Sequence, residues 1–183
     1  MLVAGSSIMT PILAVESICK SFGKRVILNS AGVWAIPGKI TVILGRNGCG
    51  KTTLMRIACG LLKPDYGVVV YRGERLTNPK LWQLARRGLF FLPERNLLHD
   101  GLTCGDHLDA VAYHHRVTDL GDVVEKLRVG GLLSRKPRQL SGGEVRRVEL
   151  AVTLARQPLC LIADEPFLGI APRDAELLQL VFR

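Results

Sequence analysis

Residues 45–52 of this 183-residue chain are the part of the sequence that most restricts its fold. They read Gly-Arg-Asn-Gly-Cys-Gly-Lys-Thr and fit the pattern G-x-x-x-x-G-K-[ST] at each fixed position. The apolar run 39–44 before them predicts a strand, and residues 51–62 after them have the periodicity of a helix. A strand, a glycine-rich loop and a helix in this order predict a phosphate-binding site, because backbone N–H groups and the positive end of the helix dipole converge on one point.

Five residues define the chemistry expected of this loop. Gly45, Gly48 and Gly50 lack the Cβ atom that would keep phosphate oxygens away from the backbone. Lys51 is expected to bring its ammonium group to the β- and γ-phosphates of a nucleotide, and Thr52 its hydroxyl to Mg²⁺. The loop therefore predicts a nucleotide that is bound together with Mg²⁺.

Two adjacent carboxylates follow the apolar run 159–163, which predicts a buried strand. In open α/β sheets, ligands bind at the carboxyl ends of such strands. Asp164 is therefore expected to hold Mg²⁺ through water, as the acidic partner of a phosphate loop does. Glu165 is expected to orient and deprotonate the attacking water.

A second glycine-rich motif, Leu-Ser-Gly-Gly-Glu at 140–144, opens the predicted helix 141–156. Ser141 and Glu144 have the spacing of a capping box, which is a purely structural interpretation of the motif. Gly142 and Gly143 disfavour a helix, however, and a helix start does not need them. They are explained if bare N–H groups and the Ser141 hydroxyl contact an anion.

Strand and helix patterns alternate along the chain and predict an α/β fold with a mainly parallel sheet. Further strands are expected at 13–18, 33–36, 68–71 and 89–92, and further helices at 78–87, 103–114, 122–127 and 172–182. The first strands predict an antiparallel β segment. Residues 94–139 have a polar composition and the pattern of short helices. We therefore expect a helical subdomain inserted into a core formed by 10–93 and 140–183. The whole chain, 1–183, would form one domain whose first residues, 1–9, are flexible.

The net charge of +9 calls for an anionic ligand or surface, and phosphates, nucleic acid and acidic lipid headgroups all qualify. The basic residues are scattered without interleaved aromatics, which is a weak signal for nucleic acid. No apolar run approaches the roughly 18–20 residues that a membrane-spanning helix needs. The absence of Lys and Arg before Lys20 argues against a secretory signal, and five cysteines without a CxxC pair indicate free thiols.

The three motifs together resemble those of the ATP-binding cassette (ABC) ATPases, and the resemblance extends over nearly the whole chain from about Thr10. The loop 45–52, the LSGGE motif 140–144 and the sequence LCLIADEP at 159–166 occur in the order of that family. The resemblance implies a P-loop NTPase core that binds ATP and Mg²⁺ and hydrolyses ATP. It also implies a cytoplasmic location at a membrane surface, where the chain would drive a membrane-spanning partner subunit, with no nucleic acid involved.

The resemblance further implies a head-to-tail dimer, or a paired cassette, that sandwiches two ATP molecules. Residues 45–53 of one subunit, with Asn47 and Thr53 among them, would hold the phosphates. Ser141, Gly142 and Gly143 of the other subunit would cover the γ-phosphate. Phe22 would stack on adenine, and the alternative for Phe22 is an ordinary core side chain.

Three departures from the family pattern bear on activity. Glu94 stands where the family usually has Gln, and it is expected to join the ligands of Mg²⁺. Ala171 stands where the family normally has an Asp that links the two ATP sites. No histidine follows the LSGGE motif, so the switch histidine of the family is missing and we expect a cassette truncated at its C-terminus.

Two alternatives remain open at this point. One alternative to a transporter subunit that hydrolyses ATP is a degenerate or truncated cassette that binds ATP without efficient turnover. A soluble ABC ATPase of DNA repair or translation is the other alternative, but the large coiled-coil or zinc insertions of those proteins are not seen. For the transporter, segment 94–103, which includes Leu97 and Leu98, is the expected docking site of the membrane partner.

Overall fold

The computed structural model describes residues 10–167, and the chain divides into two compact units, Met1–Leu89 and Phe90–Arg183. The predicted flexible segment 1–9, the predicted helix 172–182 and the Ala171 position lie outside the described residues. The division into a core and an inserted subdomain at 94–139 stays a prediction. Within residues 10–167, no helix has the length and apolar character needed to cross a bilayer.

The first unit contains a four-stranded antiparallel sheet. Its strands are β1 (Leu13–Phe22), β2 (Arg25–Ala35), β3 (Tyr66–Tyr71) and β4 (Glu74–Leu76), in the order β2-β1-β3-β4. The turn between β3 and β4 places both Arg72 and Gly73 at positive φ (51° and 81°), as the tightest hairpins require. The predicted antiparallel β segment is therefore confirmed, with longer strands than expected and with β4 in addition.

Two helices belong to this unit, α1 (Lys51–Ala58) and α2 (Leu81–Ala85). Helix α1 packs on β1 and β2 and buries Leu54, Ile57 and Ala58. It ends before the predicted residue 62 because Gly60 takes a positive φ of 76°, which a helix cannot continue. The α1 helix thus lies directly behind the glycine-rich loop.

The predicted strand at 39–44 is wrong. This segment has no regular secondary structure, and Ile40, Val42 and Leu44 are 59%, 69% and 87% exposed. Within residues 10–167, its hydrogen bonds are those of Lys39 N to Ile36 O and of Thr41 Oγ1 to Trp34 O. A strand requires a neighbouring strand to satisfy its backbone, and among the described residues none pairs with this segment.

The second unit has a two-stranded parallel sheet of β5 (Leu89–Leu92) and β6 (Cys160–Ala163). Its helices are α3 (Cys104–His115), α4 (Gly121–Lys126) and α5 (Gly142–Ala155), with short 3₁₀ helices at Gly130–Leu132 and Pro137–Gln139. Helices α3 and α4 both pack on α5. The core joins these helices to the sheet through buried side chains such as Leu92, Leu108, Leu127, Val129 and Leu150.

Candidate functional site

The glycine-rich loop 45–52 has the backbone geometry that a phosphate cradle needs. Gly48 and Gly50 take positive φ values of 78° and 100°, a region that other residues rarely adopt. A Cβ atom at Gly50 would lie 2.8 Å from Leu28 Cδ2, and one at Gly45 would lie 2.7 Å from Cys49 Sγ. The positive φ values favour glycine at 48 and 50, and a Cβ atom at 45 or 50 would in addition displace a neighbouring side chain.

The side chain of Lys51 folds back onto the start of this loop. Its Nζ donates hydrogen bonds to Gly45 O at 2.8 Å and to Arg46 O at 3.2 Å. Helix α1 begins at Lys51 with no side chain capping its first turn and with no acidic residue in that turn. Its first N–H groups, on half-buried Lys51, Thr52 and Thr53, are therefore available to an anion.

Phe22 ends β1 with its side chain 52% exposed, so it is not a core residue. Lys20 Nζ lies 5.6 Å from the centroid of the Phe22 ring and pairs with Asp65 Oδ1 at 2.8 Å. The hydrogen bond from Lys20, followed by that from the Ser21 backbone, lowers the pKa of Asp65 and keeps it ionised. An exposed aromatic ring on a fixed strand end can stack on a planar ligand.

The acidic residues lie at the carboxyl ends of β5 and β6. Asp164 follows β6 and is 4% exposed, and its N–H donates to Leu92 O at 3.0 Å. Glu165 is exposed and has a positive φ of 45°. Glu94 follows β5, is exposed, and pairs with Arg95 Nε at 3.3 Å. Because the two strands are parallel, all three carboxylates lie at one edge of the sheet.

The environment of Asp164 fits a bound cation. Its carboxylate has no hydrogen-bond or ion-pair partner among residues 10–167, although the residue is buried. Its oxygens are not sealed from solvent, so they remain able to bind a divalent cation. No group of three or more His, Cys, Asp or Glu side chains in this part of the chain could hold a metal alone. Mg²⁺ suits such a site because it commonly binds one or two carboxylates together with phosphate and water.

The start of α5 contains the predicted capping box. Ser141 N and Oγ donate to Glu144 Oε2 at 2.8 and 2.7 Å, and Glu144 N donates to Ser141 Oγ at 3.4 Å. These bonds lower the pKa of Glu144. Gly142 is exposed, and a Cβ atom there would meet nothing within 4 Å. Packing among residues 10–167 therefore does not explain this glycine.

Arg146 and Glu149 are functional candidates that the sequence did not reveal. Arg146 and its neighbour Arg147 belong to the scattered basic residues of the sequence, yet both Arg146 and Glu149 are 3% exposed. Arg146 Nη1 donates to Glu149 Oε2 at 2.8 Å, and the guanidinium also contacts the loops after β5 and β6. The signal in the sequence is the spacing of three residues, at which an acidic and a basic side chain on one helix are neighbours.

The family model described as "ABC transporter" matches residues 28–168, which is most of the chain. This chain belongs to the ABC transporter family. One relative is the lipopolysaccharide export system ATP-binding protein LptB of Acidithiobacillus ferridurans, which is 32% identical over 96% of this chain and 75% of its own length. Another is the Fe(3+) ions import ATP-binding protein FbpC 2 of Rhodococcus jostii, 35% identical over 87% of this chain and 47% of its own length.

The fold of ABC cassettes is likewise confirmed by solved structures. A structure titled as the ATP-binding subunit of an ABC transporter superposes with a TM-score of 0.81 and 26% identity, over 93% of this chain and 72% of that one. The predicted family, the α/β P-loop fold class and the assignment as an ATP-binding subunit are confirmed by these matches. The roles assigned to single residues stay predictions.

Proposed function

We propose that this ABC protein binds and hydrolyses MgATP in a head-to-tail dimer and thereby drives a membrane-spanning partner at the cytoplasmic face of a membrane. The observation that carries this proposal is the glycine-rich loop, with positive φ at Gly48 and Gly50 and an uncapped helix start behind it. Backbone N–H groups of this kind bind phosphate oxygens.

Binding would use the residues of the first unit. The backbone of 45–50, with Gly45, Asn47, Gly48 and Gly50, would surround the phosphates. Lys51 would exchange its two bonds to loop carbonyls for bonds to phosphate oxygens, and Thr52 and Thr53 would add their hydroxyls. The exposed ring of Phe22 would stack on the adenine.

Hydrolysis would use the acidic residues of the second unit. Asp164, with Glu94 and Thr52, would hold Mg²⁺, which neutralises negative charge on the phosphates when bound. Glu165 is exposed, so its carboxylate can reach a water molecule, orient it and accept its proton. Lys51 would stabilise the negative charge that increases on the γ-phosphate oxygens.

The dimer would complete each site from the second subunit. Ser141 and Gly142 are exposed at the start of α5, and no neighbour in the described part of the chain restricts Gly142. Together with Gly143, they would present N–H groups and the positive end of the α5 dipole to the γ-phosphate bound by the other subunit.

A cassette that binds ATP without efficient turnover is the second candidate. It is favoured by Glu94, which is exposed, paired with Arg95, and acidic where the family usually has a neutral Gln. A negative charge beside the γ-phosphate would oppose the approach of a nucleophile. Binding would be preserved in that case, because Glu94 is not part of the phosphate loop.

Nucleotide affinity and ATPase rate, measured on the same purified protein, separate the two candidates. Lys51→Ala should weaken ATP binding by about 10-fold or more, since it removes hydrogen bonds from a charged donor. Glu165→Gln should leave ATP affinity unchanged and lower the hydrolysis rate by about 100-fold or more. The exposed Lys63 and Glu125 provide the controls Lys63→Ala and Glu125→Gln.

The outcomes have distinct meanings. A wild-type rate at background that Glu165→Gln does not change would support the non-hydrolysing candidate. Equal ATP affinity in wild type and Lys51→Ala would contradict both. Affinity purification of the protein from membranes should bring an integral membrane subunit with it, whereas co-purified nucleic acid would favour the soluble class of ABC ATPases.

A further inference from the structure

We propose that Arg146, together with Glu149, is a positioning residue that fixes the two acidic loops of this ATPase relative to each other and maintains the backbone conformation of Glu165. The inference rests on the proposed function for its consequence in catalysis. Its structural part concerns the second unit alone, where all the contacts lie.

The guanidinium of Arg146 is buried and all five of its N–H groups are used. A guanidinium has one N–H on Nε and two on each Nη nitrogen. The acceptors are Pro166 O at 2.8 Å from Nε, Pro93 O at 2.9 Å and Glu149 Oε2 at 2.8 Å from Nη1, and Asp164 O at 3.3 Å and Glu165 O at 3.0 Å from Nη2. Lysine has three donors on one atom and cannot reproduce this set.

Three of these acceptors are consecutive carbonyls that surround the proposed catalytic base. Glu165 has a φ of 45°, a left-handed conformation that is unfavourable for a residue with a side chain. Such a conformation persists only where the surrounding contacts determine it. The bonds from Arg146 to the carbonyls of 164, 165 and 166 are contacts of that kind, and they thereby set the direction of the Glu165 side chain.

The same pair of residues holds the loop that carries Glu94, on both sides of it. Pro93 O accepts from Arg146, and Leu97 N donates to Glu149 Oε1 at 3.1 Å. The charge of the guanidinium is balanced by the Glu149 carboxylate, so the pair can remain buried. Both acidic loops are therefore fastened to one face of α5 through two side chains.

Helix α5 makes this arrangement rigid. Arg146 lies five residues after Ser141, within the first turns of a helix that packs on α3 and α4. The loops after β5 and β6 thus share a support with the Ser141-Gly142-Gly143 motif. A change at Arg146 should therefore alter the geometry of the acidic residues while the phosphate loop of the first unit is unaffected.

Hydrogen–deuterium exchange of the nucleotide-free protein tests the structural part. Arg146→Lys should raise the exchange rates of peptides covering 94–98 and 164–167 together, by about 10-fold or more, because opening both loops no longer breaks the four bonds from Arg146 to their carbonyls. Peptides of the phosphate loop and α1 should keep their rates. Arg147→Lys is the matched control, since Arg147 makes one long contact, 3.5 Å to Arg128 O.

The catalytic part is tested by the dependence of hydrolysis on ATP and Mg²⁺. Arg146→Lys should lower kcat or raise the Mg²⁺ concentration for half-maximal rate by about 10- to 100-fold, as loss of partners that orient metal-site carboxylates does. The affinity for ATP measured without Mg²⁺ should not change. A residue that only supports the fold would lower affinity and thermal stability in parallel.

The outcomes are separable from those of the proposed function. If wild type does not hydrolyse ATP, turnover is refuted, while the exchange rates still decide whether Arg146 holds the loops. Unchanged exchange of both segments in Arg146→Lys overturns the inference, as does an increase in one segment only. Should that variant not fold, Glu149→Gln keeps the shape of the side chain and is expected to loosen the same two segments.

Discussion

Gly50 combines two demands on a single residue. Its φ of 100° and the proximity of Leu28 exclude a Cβ atom, while the absence of a side chain also allows phosphate oxygens near the backbone. Asp164 is 4% exposed, and its carboxylate has no partner among the described residues, so its oxygens remain available to a cation.

The cysteine thiols should differ sharply in reactivity. Burial raises the pKa of Cys59 and of Cys160 to about 11, whereas Cys49 is exposed in the phosphate loop. Because the thiolate is the reactive form, iodoacetamide at pH 7.5 should modify Cys49 and leave the other two protonated and unmodified. Their thiolate fraction should rise about 10-fold per pH unit below the pKa.

Peptide mass spectrometry after timed labelling measures this difference. MgATP should slow the modification of Cys49, because the nucleotide would cover the loop. It should not change the rate at which cysteines outside the loop are modified. Equal labelling rates for Cys49 and Cys160 in the folded protein would refute the assignment of their environments.

Some residues of the candidate site could be predicted from the sequence and others could not. Lys51 and Asp164 follow from motifs, because phosphate binding and Mg²⁺ binding demand particular residue types at fixed spacing. Arg146 was missed because its neighbour, Arg147, suggests a solvent-exposed basic pair. Positions 146, 149, 150 and 153 share one helix face, and all four are buried. Polar residues on one helix face indicate a buried ion pair only when it is known that other elements pack on that face, and the sequence alone does not show this.

At the scale of elements, α5 begins with glycines that folding does not need. Gly142→Ala should leave the free energy of unfolding unchanged or raise it by up to about 1 kcal/mol, because alanine is the better helix former. In the proposed dimer, the added methyl group would obstruct the γ-phosphate of the other subunit. ATP-dependent dimerisation of the Glu165→Gln protein, measured by size-exclusion chromatography, should therefore be lost when Gly142→Ala is added.

Gly131→Ala is the control for this experiment, since a Cβ atom there would also meet nothing within 4 Å. It should change neither folding nor dimerisation. A Gly142→Ala protein that dimerises like its parent would show that this glycine does not lie at the subunit contact.

Elements were predictable where their own residues determine them. Helix α5 and strands β5 and β6 have strong apolar patterns, and the structure contains all three. Strand β4 was missed because Glu74-Arg75-Leu76 has no apolar run and is formed by pairing with β3. Pairing also explains the wrong prediction at 39–44. An apolar run becomes a strand only when a neighbouring strand supplies hydrogen bonds, and among the described residues none does so for this segment.

For the whole molecule, the net charge of +9 exceeds what one phosphate loop requires. If the protein works beside an anionic membrane, it should sediment with vesicles that contain acidic lipids and remain in solution with neutral ones. Raising the salt from 0.1 M to 1 M should release it, because the screening length falls from about 10 Å to about 3 Å. Salt-resistant binding to neutral vesicles would indicate an apolar attachment instead.

The fully used donor set of Arg146 limits how this sequence can diverge. Replacement of Arg146 by a residue without a donor leaves four backbone carbonyls without this partner and removes one of the two donors to the buried Glu149 carboxylate, whereas an exposed arginine nearby can change at little cost. Among descendants of this protein, positions 146 and 149 should therefore be exchanged together or stay as they are.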